Sequence, residues 1–137
     1  METQQPLYMG IEIGGTKLQV GVGDGVSTTL YVLERRTVDK NAGAEGILRQ
    51  LGELVPPLTR RFPVAGIGVG FGGPVDPTAG RVIRSHQVAG WENFAIRDWL
   101  RKRTGCPVVV GNDCDCAALA EATLGAGRGK QVVFYVT

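Results

Sequence analysis

A chain of 137 residues, 43% of them hydrophobic and with a net charge of +2, is long enough for one domain with its own core and too short for two ordinary ones. Its Lys and Arg are scattered apart from Arg35-Arg36, Arg60-Arg61 and Arg101-Lys102-Arg103, which read as solvated element ends and exclude a basic nucleic-acid stripe. No stretch approaches the roughly 18 apolar residues of a membrane span, and METQQPLYMG has no leader pattern, so a cytoplasmic protein without nucleic-acid or membrane partners is expected.

In chain order, Leu7 to Ile13 reads as a strand, Gly14-Gly15 as a turn and Lys17 to Val22 as the antiparallel partner. Gly23-Asp24-Gly25 turns into a third strand over Val26 to Val38. Gly43 to Val55 carries Ile47, Leu48, Leu51, Leu54 and Val55 at helical spacing, and Pro56-Pro57 predicts the end of that helix. Val64 to Val69 is a buried strand leading into FGGPVDPTAG and a short segment at Arg81 to Ser85. Phe94 to Thr104 is a helix with Ile96, Trp99 and Leu100 on one face, stopped at Gly105. Pro107 to Val110 is a strand, Asp113 to Leu124 a helix and Val132 to Val136 a last strand. The order β-β-β-α-β-α-β-α-β predicts an α/β architecture: a mixed sheet opening with a three-stranded antiparallel meander, with helices packed on it. The final apolar strand carries no turn, cap or polar tail, an unprotected edge that predicts further structure after it.

Two residue classes qualify the chemistry. Cys106, Cys114 and Cys116 make an odd count without the pairs of a zinc module or a disulfide framework, so reduced thiols are expected, Cys114 and Cys116 as small core residues. The 21 glycines are about twice the usual share of roughly 7% and form no repeat, so they mark turns and close backbone approaches.

Familiar nucleotide patterns do not fit. Gly68, Gly70 and Gly73 satisfy G-x-G-x-x-G, but Pro74 and Pro77 stand where the helix of a dinucleotide site begins. Gly10 to Lys17 has nearly the spacing of a P-loop, with Gly-Thr-Lys in place of Gly-Lys-Thr and a strand-like Ile-Glu-Ile inside it. What remains is a hairpin tip, Gly14-Gly15-Thr16, whose amides can converge on an anion, with Glu12 on the opposite pleat from Ile11 and Ile13, near enough to orient a hydrated magnesium ion. An ordinary tight turn and a plain surface carboxylate are the alternative.

Val108 to Asp113 ends a strand in Asn112-Asp113 where a helix begins, the place where α/β sheets bind ligands and equally an ordinary N-cap. If Asp113 is a base, the positive end of the helix dipole favours its carboxylate form. Gly70 to Asp76 also follows a strand; it suits an empty surface turn or a backbone bed for a flat, hydroxyl-rich ligand, with Trp91 as an apolar wall. His86, the one histidine, is expected to pack or face solvent rather than bind metal, and no metal site is expected.

The ordered set GIEIGGTKLQ, GIGVGFGGPVDPTAG, GW, VVVGNDCDCAALAE and GAGRGKQVVFYVT resembles the amino-terminal half of ROK-family sugar kinases, the bacterial glucokinase-like group. The resemblance implies an actin-like, ribonuclease-H-type ATPase domain, with residues 1–137 as the amino-terminal lobe and the carboxy-terminal lobe absent. It implies ATP-dependent phosphorylation of a hexose, with ATP and Mg2+ as cofactors, and zinc only in the missing half. Glu12, Gly14, Gly15, Thr16 and Lys17 would form the first phosphate site, Gly73, Pro74, Gln87 and Asn112 the sugar side, and Asp113 the catalytic base and a sugar ligand. Glu121 matches a structural position.

Departures accompany the match. The family commonly has aspartate at position 12, Glu-Asn-Asp-Ala-Asn where this chain reads Gly111-Asn112-Asp113-Cys114-Asp115, and asparagine at position 87. With half an active site, the chain alone is expected to be inactive and the full-length protein to be a homo-oligomer. The other readings are a sugar-sensing module of a ROK-type regulator and a non-catalytic fragment that self-associates.

Overall fold

The computed structural model describes residues 5–137, so the first four residues of the stretch examined for a leader lie outside it. Its centre is a five-stranded sheet whose neighbours in order are Leu30–Thr37, Lys17–Gly23, Leu7–Ile13, Val64–Phe71 and Val108–Asn112. Strands β1 (Leu7–Ile13), β2 (Lys17–Gly23) and β3 (Leu30–Thr37) form the expected antiparallel meander. Strand β4 (Val64–Phe71) pairs parallel to β1, and β7 (Val108–Asn112) pairs parallel to β4. Two-residue strands β5 (Val75–Asp76) and β6 (Arg81–Val82) make a small antiparallel pair in the long connection.

Alternation along each strand splits the sheet into two unlike faces. Ile11, Val20, Val69 and Val110 stand in one cross-strand row, buried with Met9, Leu18, Ile67 and Phe71. Helix α1 (Gly43–Arg61) and helix α2 (Ile96–Thr104) supply Ile47, Leu51, Val55, Ile96 and Leu100 to the same core. The opposite face carries Gly23–Tyr8–Gly66, then Gly21–Gly10–Gly68–Val109, then Gln19–Glu12–Gly70–Gly111 in successive rows. Helix α3 (Asp113–Thr123) touches only one end of it, and side chains added at Gly10 and Gly68 would meet nothing within 4 Å.

Several bounds differ from expectation, among them the start of α2 at Ile96 rather than Phe94 and the span of β7. The third strand begins at Leu30, because Asp24 first folds a turn, accepting bonds from the Val26 and Ser27 amides at 3.0 and 2.8 Å. Helix α1 continues through Pro56 and Pro57 to Arg61. The carbonyls these prolines leave without a helical donor, those of Gly52 and Glu53, belong to exposed residues that water can serve, while Leu58 extends the buried stripe. The segment at Arg81 to Ser85 is a strand only over Arg81–Val82. Val132 to Val136 is not a strand: no described strand lies beside it, and Phe134 and Val136 are each 90% exposed. Gly105 stops α2 as expected, in the left-handed conformation at φ 70° with its N–H bonded to Arg101 O.

Candidate functional site

Because β1, β4 and β7 are parallel neighbours, Ile13, Phe71 and Asn112 fall in one row, and the segments after them emerge together at one sheet edge. Hydrogen bonds tie these segments to each other. Gly72 N donates to Ile13 O at 2.8 Å, and Nδ2 of Asn112 donates to Gly73 O at 3.0 Å. A Cβ on Gly72 would stand 3.4 Å from Oδ2 of Asp113 and 3.6 Å from Cα of Gly14. The hairpin tip, the glycine loop and the Asp113 carboxylate, separated by about a hundred positions in sequence, are therefore neighbours.

The three segments offer different chemistry. At the tip, Gly14 N is used by Lys17 O at 3.0 Å and Thr16 O by Val38 N, but the N–H groups of Gly15 and Thr16 have no hydrogen-bond partner among the described residues. Lys17 is exposed beside them and forms no salt bridge among the described residues. In the loop after β4, Gly73 N is bonded to Phe71 O, Gly73 O is taken by Asn112 and Pro74 O by Ile83 N. Gly73 and Pro74 thus present shape rather than free polar groups. A Cβ on Gly73 would stand 3.0 Å from Arg84 O and from the Phe71 ring, tighter than ordinary contact.

Asn112 is the N-cap of α3, its Oδ1 accepting from Cys114 N at 2.9 Å and Asp115 N at 3.4 Å, while its amide nitrogen holds the loop and keeps one hydrogen unused. The capping reading is correct for Asn112, and it does not consume Asp113. That residue is half-buried in the first turn, with Oδ1 accepting from Cys114 N at 2.9 Å and Oδ2 turned to the loop.

Other expectations are redistributed. Gln87 lies against the hairpin tip, where a Cβ on Gly15 would collide with its amide. Trp91 is no ligand wall: at 1% exposure it packs edge-on against Phe71 and Phe94, with ring centroids 5.2 and 5.5 Å away, because the apolar core continues under the loop. Cys114 is half-buried and Cys116 exposed, not core residues, because α3 has no fully buried side chain. Desolvation first, then the Asp113 carboxylate, pushes the Cys114 thiol up, and desolvation with Asp115 does the same at Cys116. Both cysteines are thereby held as thiols. His86 is exposed, as expected. Glu121 is structural, its carboxylate accepting from Ala126 N at 3.0 Å in the turn after α3.

Glu12 and Asp113 border the same end of an open cleft of about 1010 Å³ that runs over the glycine-rich face. Two features escaped the sequence reading: this bare face, signalled by Gly66, Gly68 and Gly70 at every second residue of β4, and a side-chain chain from Glu12 through Gln19 to Arg35. Gly68 and Gly70 lie inside a strand, which disposes of the dinucleotide pattern.

A mixed sheet with helices on it and three loops meeting at one edge is the architecture of an actin-like ATPase lobe, and the solved structures it superimposes on include ROK sugar kinases and, at 20% identity, a ROK family transcriptional regulator that shares the fold. One is a ROK family glucokinase from Streptomyces griseus in complex with glucose and AMPPNP, with a TM-score of 0.77 and 31% identity over 90% of this chain and 38% of that one. The ROK family profile matches residues 8–137, and the chain belongs to the ROK family. It is 31% identical to a glucokinase of Thermotoga maritima over 94% of its own length and 40% of that protein. It is 34% identical to a beta-glucoside kinase of Listeria innocua over 85% of its length and 38% of that one. The chain therefore spans about 40% of the relatives it matches. Among the described residues no helix is long and apolar enough to cross a membrane.

Proposed function

We propose that residues 1–137 are the amino-terminal lobe of a cytoplasmic, ATP-dependent hexose kinase and carry its first phosphate turn, part of its sugar pocket and its catalytic base. The observation that carries the reading is the pair of N–H groups on Gly15 and Thr16 that have no hydrogen-bond partner among the described residues, at the edge that also holds the Asp113 carboxylate. Two amides and a lysine without partners among the described residues, together with a nearby carboxylate, fit a magnesium-bound polyphosphate better than a neutral ligand. The relatives named a glucokinase and a beta-glucoside kinase support a sugar hydroxyl as acceptor.

Phosphoryl transfer passes through a loose transition state, so the protein's task is to align groups and spread charge. Gly15 and Thr16 hold phosphate oxygens by their amides, and Lys17 adds a positive charge beside them. Magnesium, when bound, neutralises charge on the phosphates; Glu12 would hold it through its water shell. Gly73 and Pro74 shape the sugar side, and the unused Asn112 amide hydrogen is available to a sugar hydroxyl. Asp113 accepts the proton of the attacking hydroxyl as its oxygen bonds to phosphorus and the nucleoside diphosphate leaves.

The test is an NMR titration of the chain with MgATP and, separately, with glucose. MgATP is expected to shift the amide signals of Gly15 and Thr16, and glucose those of Gly73, Asn112 and Asp113. Gly15→Val should abolish the first response. Absence of the MgATP response in the unaltered chain overturns the phosphate turn. With the second lobe present, Asp113→Asn should remove turnover and spare sugar binding; near-normal turnover would exclude Asp113 as the base.

A further inference from the structure

Glu12, Gln19 and Arg35 stand side by side on the bare face, since Glu12 opposes Gln19 across β1 and β2, and Gln19 opposes Arg35 across β2 and β3. Their side chains are joined end to end. Nε2 of Gln19 donates to Oε2 of Glu12, and Nε of Arg35 donates to Oε1 of Gln19 at 2.7 Å. A guanidinium only donates and a carboxylate only accepts, so the group between them must do both. Arg35 therefore settles which way the amide faces: its oxygen toward the guanidinium and its NH2 toward Glu12.

Residue type at position 19 is constrained by the same logic. Glutamate there would set two carboxylates against each other across the strands, and lysine would set two cations against each other. Methionine has similar length but neither bond. Glu12 has three side-chain torsions, and a donor fixed from behind removes much of their freedom. Only one carboxylate oxygen is used, and Oε1 has no partner among the described residues.

We infer that Gln19, oriented by Arg35, is a positioning residue that engages one oxygen of Glu12 and presents the other to the cleft shared with Asp113. The inference rests on the phosphoryl-transfer reading, because a carboxylate that steers a hydrated magnesium ion must hold its oxygen in a fixed place. Gln19 and Arg35 act through Glu12 and do not themselves touch the nucleotide.

The experiment is to titrate the chain with ATP in the presence and absence of Mg2+, following the Gly15 and Thr16 amides, for the unaltered protein and for Gln19→Met, Arg35→Met and Glu12→Gln. Gln19→Met is expected to weaken MgATP binding about tenfold, the scale of a lost hydrogen bond to a charged group, and to leave metal-free ATP affinity unchanged. Arg35→Met should act in the same direction and less, and Gln19→Met should add nothing on top of Glu12→Gln. Thermal unfolding checks that each variant is folded. Unchanged MgATP affinity in folded Gln19→Met overturns the positioning role, as does an equal loss with and without Mg2+. If the unaltered chain binds no MgATP, the phosphate-turn reading fails and this inference falls with it.

Discussion

The two faces of the sheet are made by alternate residues of the same strands, yet one is filled and the other nearly bare. On the filled face, Ile11, Val20, Val69 and Val110 meet α1 and α2, and Leu18, Val20 and Leu51 are wholly removed from solvent. On the bare face, Gly10, Gly66, Gly68 and Gly70 leave backbone within reach of whatever lies above, and Val109 is 71% exposed. Stability is thus concentrated on one side. Glycine in a strand works against the fold, so the bare face subtracts from what the packed face supplies, while Glu12 and Asp113 stand at the end of that face where the three loops converge.

The largest losses of stability are expected in the packed layer. Trp91→Ala should lower stability by about 3–5 kcal/mol and Leu51→Ala by about 2–5 kcal/mol, measured by denaturant unfolding. A loss under 1 kcal/mol at both would mean that this face is not the core. Asn112→Ala, at the edge joining the two faces, should cost about 0.5–2 kcal/mol through the lost cap, and loosening of Gly73 should appear as faster amide exchange in the loop.

Glycine replacements sharpen the contrast. Gly10→Ala and Gly68→Ala should raise stability by about 0.5–1 kcal/mol, since the added methyl meets nothing and the unfolded chain loses freedom. Gly73→Ala should lower it, because its methyl would press on Arg84 O and the Phe71 ring. The same sign at all three sites would mean that the open strand glycines and the packed loop glycine do not differ in surroundings.

The smallest effect is expected at the rim, in the turn between β2 and β3. Backbone N–H groups of Ser27 and then Val26 hold the Asp24 carboxyl below its ordinary value of 3.8. A depressed folded-state value means that the ionised form favours folding. Its contribution is complete above the ordinary value and is lost as pH falls through the lower, folded one. The melting-temperature difference between the unaltered chain and Asp24→Asn should therefore be small at pH 7 and shrink below about pH 4; a difference that grows with acid would contradict it.

Much of the fold was legible because it is local or periodic. Leu7 to Ile13 alternates, Ile47 to Val55 has helical spacing, and Gly105 is a stop that only glycine fills without strain. The misreadings were places where surroundings overrule local preference. Pro56 and Pro57 break an isolated helix, but here the freed carbonyls reach solvent and Leu58 is buried. Val132 to Val136 has strand composition, and composition cannot supply the neighbour that a ladder requires. Of the site, the types at Glu12, Gly14, Gly15, Thr16, Asn112 and Asp113 were readable from motif order, whereas the link from Gln87 to Gly15 and the burial of Trp91 were not.

Spacing along the chain was enough for the order of most strands and helices, for the ROK resemblance and for naming the residues proposed to carry phosphoryl-transfer chemistry. Only the tertiary structure decided which residues meet. The parallel placement of β1, β4 and β7 brings Gly14, Gly72 and Asp113 together, and the strand register sets Glu12, Gln19 and Arg35 in one row. Register reverses every side chain when it slips by one residue, so neither arrangement is a property of a short segment: each exists only once the whole sheet has formed.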